Sequence, residues 1–112
     1  MKMAIIGLDE EKIYADGYEP QSLWSWVDSV FSHVKWTKEP QPDGTVLYSS
    51  VGNSETLFAD GYYIFNALTE DTNFGKYCNK WLDFNNDNNE TIPFEKTDMI
   101  AKLRAYGYTF GR

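Results

Sequence analysis

Apolar and polar residues follow two periods along this chain. The stretch 2–6 is short and nearly all apolar, which predicts a buried strand. Asp9, Glu10 and Glu11 break it as an acidic turn, Ile13, Tyr14 and Ala15 read as a second extended piece, and Asp16-Gly17 has tight-turn chemistry. Pro20 stands where a helix starts, with Ser22 as a candidate N-cap. Over residues 23–34 the period changes. At about 100° per residue, Leu23, Trp24, Trp26, Val27, Val30, Phe31 and Val34 share one arc, while Ser25, Asp28, Ser29, Ser32 and His33 fill the other. An amphipathic helix is expected, with Trp24 and Trp26 at the edges of its apolar arc, where a ring serves both the core and a partner.

Pro40-Gln41-Pro42-Asp43-Gly44 lies between residues 35–38 and 45–48, and its proline and Asp-Gly chemistry predicts a reversal between two strands. Asp60-Gly61 lies between 56–59 and 62–65 and reads as a hairpin turn, so an antiparallel meander is expected across about 35–67. Residues 71–82 place Phe74, Tyr77, Cys78, Trp81 and Leu82 on one helical face. Gly75 costs that helix about 1 kcal/mol, which burial of five such side chains outweighs. A polar loop over 83–90 precedes a last helix that opens near Thr97-Asp98, turns Met99, Leu103 and Tyr106 inward, and ends at Gly107. Residues 14–18 and 58–62 echo each other as aromatic-Ala-Asp-Gly-Tyr, which reflects shared turn chemistry rather than a duplicated unit. The expected architecture is one α+β domain over 1–112: an antiparallel β-meander sheet packed on one face by two to three amphipathic helices.

Composition then narrows the function classes. The 112 residues include four Trp, eight Tyr and seven Phe, a content foreign to disordered chains, so a folded core is expected almost throughout. Seventeen acidic residues against ten Lys and Arg leave a net charge of -7. Such a surface repels phosphate backbones and anionic membranes, and the largest positive cluster, Lys102, Arg104 and Arg112, is too sparse to track a nucleic acid. No apolar run approaches a membrane span, and the apolar start is too short for a secretory signal. Cys78 is alone, and an unpaired thiol suits a reducing compartment, so a cytoplasmic location is expected. On that route the sequon Asn89-Glu90-Thr91 is coincidental.

Catalytic chemistry finds little to work with. Asp83-Phe84-Asn85-Asn86-Asp87-Asn88 opens like a calcium loop, with oxygen ligands at alternate positions. Asn88, however, stands where the sharp turn needs Gly, Phe94 stands where the bidentate Glu belongs, and Pro93 stiffens the wrap; a turn-rich polar loop without metal is expected. His33 lies at the boundary of its helix's polar face and Cys78 on the inner face of another, so a Cys–His pair requires the fold to join them. Glu10 and Glu11 serve as paired carboxylates only if one is buried in a cleft. Phosphate loops, His-based metal spacings and nucleophile elbows are all missing from the sequence, so no catalytic residue and no cofactor are assigned.

The acids are unevenly spread. Residues 9–28 hold Asp9, Glu10, Glu11, Asp16, Glu19 and Asp28 against Lys12 alone, and 83–98 hold Asp83, Asp87, Glu90, Glu95 and Asp98 against Lys96 alone. Two solvated loops have this appearance, and so does a surface that docks on a basic partner. The expected function is a small inhibitor that covers a basic, nucleic-acid-handling protein, as a toxin immunity protein or a phage-type anti-defence inhibitor does. Its contact residues are expected to be Asp9, Glu10, Glu11, Asp16, Glu19, Trp24, Asp83, Asp87 and Glu90, without direct contact to nucleic acid or membrane. Two other classes stay open: a carbohydrate or peptide binder stacking on Trp24, Trp36, Tyr62 and Tyr63, and a small enzyme with His33 or a carboxylate in a pocket.

Overall fold

The computed structural model describes residues 1–51, 56–86, 91 and 93–108. The first strand, β1 (Lys2–Leu8), buries Ala4, Ile6 and Leu8 on one face and leaves Met3 and Ile5 partly buried on the other. Helix α1 (Glu10–Ala15) follows at once, where an extended piece was expected. Asp9 explains it: its side chain accepts the backbone N–H of Lys12 at 3.1 Å, and Glu10 and Glu11 complement the positive end of the first turn. Helix α2 (Pro20–His33) begins three residues before the expected start. Glu19 stands at its N-cap instead of Ser22, because Pro20 takes the first helical position. Val27, Val30 and Phe31 on its apolar arc are buried, and Trp24 and Trp26 pack half-buried against the core.

Strands β2 (Thr37–Pro40) and β3 (Val46–Ser49) form the expected hairpin, with Gly44 at φ 86° in its turn. The expected second hairpin does not exist. Residues Leu57–Glu70 are helix α3, which buries Leu57, Ile64 and Leu68 at helical spacing and carries Gly61 within its length. The echo of residues 14–18 in 58–62 therefore joins the end of one helix to the start of another, and it is no repeat. The helix expected over 71–82 is also divided. Helix α4 (Thr72–Tyr77), capped by the Asp71 carboxylate on Phe74 N–H at 2.8 Å, stops at Tyr77, and β4 (Cys78–Asn85) continues. The polar loop thus starts after Asn85, and 87–90 lie outside the described residues. Strand β5 (Glu95–Asp98) leads into α5 (Met99–Ala105), capped by Asp98 on Ala101 N–H at 3.2 Å and closed at Gly107 with φ 92°. Met99 and Leu103 are buried as expected. Tyr106, placed inward by periodicity, is 75% exposed.

The protein is an α+β fold with one antiparallel sheet in the order β2-β3-β1-β4-β5. Strand β1 is its centre, paired with β3 on one side and β4 on the other. The register sets Lys38, Tyr48, Ala4, Asp83 and Thr97 in one cross-strand row and Pro40, Val46, Ile6 and Trp81 in the next. These rows face the helices. Phe31 stacks on Tyr48 with centroids 3.9 Å apart, and Phe74 meets the edge of Trp81 at 5.8 Å. Tyr48 donates its hydroxyl to Asp28 at 2.5 Å, and Lys38 pairs with the other oxygen of that carboxylate at 2.6 Å. Burial, then the Asp28 contact, pushes the Tyr48 phenol well above its ordinary range.

Candidate functional site

The acidic stretch 9–28 separates into groups used internally and groups left on the surface. Asp9 is a helix cap. Asp16 accepts the Tyr77 hydroxyl at 2.7 Å and pairs with Lys76 at 3.2 Å. The Tyr77 hydroxyl and then Lys76 hold its carboxyl below the usual carboxylate range, while Asp16 in return raises both Lys76 and Tyr77. Asp28 belongs to the Tyr48–Lys38 cluster. Glu10, Glu11 and Glu19 remain, all exposed, and Tyr14 and Tyr18 stand among them at 61% and 63% exposure. A groove of about 290 Å³ opens beside them between α1, α2 and α4. Ile13, Leu23, Trp26 and Tyr77 line it together with the carboxylate-bearing Glu19 and Asp71. Trp24 is half-buried and packs against the core, at the edge of the apolar arc as expected.

Asp83 is not a loop residue. It sits on the helix-facing side of β4, partly buried, and accepts the indole N–H of Trp81 at 2.9 Å. Burial pushes its carboxyl up to about 6, against the opposing pull of the Trp81 N–H, Lys2 and Lys102. It lines a cavity of about 470 Å³ between the sheet and α3. Asp87 and Glu90 lie outside the described residues.

Of the expected stacking residues, Trp36 is buried and Tyr62 and Tyr63 are exposed on α3 next to Phe58. His33 stacks on Tyr63 at 4.4 Å, whereas the Cys78 thiol is buried and donates to the Lys80 carbonyl at 3.4 Å, so the fold leaves the two apart. Burial pushes that thiol up to about 12. Among the described residues no group of three or more His, Cys, Asp or Glu is placed to hold a metal ion, and no helix is long and apolar enough to cross a membrane.

Sequence reasoning missed Lys2, Gly61 and Lys102, which share the cavity with Asp83. The signal was there: Trp81 and Asp83 lie two apart, so reading 78–85 at period two sets both on the face toward the helices. Compared with protein-family models, curated proteins and solved structures, the chain matches none.

Proposed function

We propose that this protein is a small acidic inhibitor that binds and neutralises a basic, nucleic-acid-handling protein. The observation that carries the reading is the surface of α1 and the start of α2, where exposed Tyr14 and Tyr18 stand among Glu10, Glu11 and Glu19. Tyrosines of this kind supply a contact with buried aromatic area and a polar tip, and the surrounding carboxylates steer a basic partner into encounter. The neighbouring groove, with Glu19 and Asp71 on an apolar lining, suits an inserted Lys or Arg side chain.

The test is capture from a cognate lysate with the wild-type protein and with a Glu10→Lys, Glu11→Lys, Glu19→Lys triple variant side by side. Asp16 is left intact because it holds Tyr77 and Lys76. A basic protein retained by the wild type and lost by the variant is expected. Its association should slow steeply between low and physiological salt while its dissociation changes little, since rim charges act on encounter. Equal capture by both baits, or no basic partner at all, overturns the reading. A second reading, a peptide- or carbohydrate-binding module, draws on the exposed row of Phe58, Tyr62 and Tyr63 on α3. Capture abolished by Tyr62→Ala but untouched by the charge reversal assigns the protein to that class.

A further inference from the structure

The Asp83 cavity lies between the sheet and α3, apart from the α1 surface, and its unmet hydrogen bonds define a ligand. Two polar groups are left wanting. The Asp83 carboxylate receives the Trp81 N–H and forms no salt bridge among the described residues. Trp36, 8% exposed, lines the same cavity, and its indole N–H is buried without an acceptor among the described residues. A buried donor and a buried acceptor left unmatched are each costly, so a molecule offering N–H groups to one and an oxygen to the other gains affinity from both.

The walls add the shape of that molecule. Phe58, Phe65, Trp81 and Trp36 present aromatic surface, which suits a flat ring, and about 470 Å³ is ample for a heterocycle with a substituent. Lys2 from β1 and Lys102 from α5 also line the cavity, which fits an anionic substituent. Gly61 supports the assignment of Lys2. A methyl group there would lie 2.8 Å from Lys2 Nζ, the movable end of its side chain, so this ammonium rests against α3 at Gly61, 6.0 Å from the centroid of the Phe58 ring. An organic cation satisfies the carboxylate but meets two lysines and leaves Trp36 unanswered. A planar N–H donor carrying an anion answers all four groups.

We infer that this cavity binds a purine nucleotide, with guanine as the base of best match: its N1–H and N2–H donate to Asp83, its O6 accepts from Trp36, and its phosphate rests at Lys2 and Lys102. Guanine offers two adjacent N–H donors beside one acceptor, whereas adenine has a single amino group on that edge. Among the described residues the charged groups around Asp83 are Lys2, Lys102 and Glu95, while α3 and the segment after α2 contribute Phe58, Gly61, Ile64, Phe65 and Trp36.

Calorimetric titration with guanosine monophosphate, adenosine monophosphate and guanosine at pH 7.5 tests the site. Guanosine monophosphate is expected to bind at least about tenfold tighter than either comparison, and guanosine, which carries no phosphate titrating near pH 6, is expected to bind about tenfold weaker at pH 5, where Asp83 holds a proton. Asp83→Asn should remove the preference for guanine over adenine while circular dichroism stays native, and Lys102→Ala should weaken the nucleotide but not the nucleoside. Failure of guanosine monophosphate to bind, equal affinity for all three probes, or a guanine preference that survives Asp83→Asn overturns the inference. So does tighter binding of arginine amide, which gives the cavity to a basic side chain. The pH arm uses the wild-type chain and stands whatever the variants do.

Discussion

Asp83→Asn is expected to stabilise this protein at neutral pH, although it removes a charge that accepts a hydrogen bond. Burial lifts the folded carboxyl from an ordinary 3.8 to about 6. Each step of one in pKa is worth about 1.36 kcal/mol, so keeping the carboxylate ionised in the fold costs about 3 kcal/mol above pH 6. Partial exposure of Asp83 reduces that to about 2 kcal/mol. The sign follows from the direction of the shift. Below pH 3.8 both states carry the proton and nothing is lost; as pH rises towards 6 the unfolded chain ionises freely while the folded one resists, and stability falls. Asparagine keeps an oxygen for the Trp81 N–H and never ionises. Urea unfolding followed by tryptophan fluorescence should therefore show the variant about 2 kcal/mol more stable at pH 7.5 and within about 0.5 kcal/mol of wild type at pH 4. In thermal terms the neutral-pH gain corresponds to roughly 5–10 °C. A variant less stable than wild type at pH 7.5, or a gain of the same size at both pH values, refutes the argument that desolvation dominates at Asp83.

Trp81→Ala should cost about 3–5 kcal/mol and leave much of the population unfolded, because the ring is 1% exposed, touches Phe74 and Phe65, and lies opposite Ile6 in the sheet; a folded variant by near-UV circular dichroism contradicts that placement. The buried thiol of Cys78, pushed up to about 12, should resist Ellman's reagent at pH 8 until urea opens the fold. Prompt labelling of the native protein argues against its burial.

The helical amphipathic pattern of 23–34 was legible because twelve residues repeat one arc, and the Pro-Asp-Gly reversal because its turn residues have few other uses. Two segments misled for physical reasons. Residues 56–65 are rich in Tyr, Phe and Ile around an Asp-Gly pair, the chemistry of a hairpin, yet Leu57, Ile64 and Leu68 at helical spacing reach a core that only a helix fills. Residues 71–82 satisfy both periods in part, and pairing of β4 with β1 decides for a strand from Cys78 onward, a long-range contact that local sequence does not display. The exposed part of the site was readable as a run of acids and tyrosines. Its internal accounting was not: that Asp16 and Asp28 serve Tyr77 and Tyr48 depends on residues far along the chain meeting them.

Strand β1 has a consequence for how the chain assembles. Its two neighbours are β3 and β4, contributed some 40 and 75 residues later, and each of those already has a local hairpin partner in β2 or β5. During synthesis the strand made first must therefore wait for the last third of the chain before both of its ladders close. Until then it is an apolar ribbon with two open edges, and each hairpin keeps one edge that β1 would cover. The centre of the sheet is thus open for most of synthesis, and the time spent waiting is when this protein is most exposed to wrong partners.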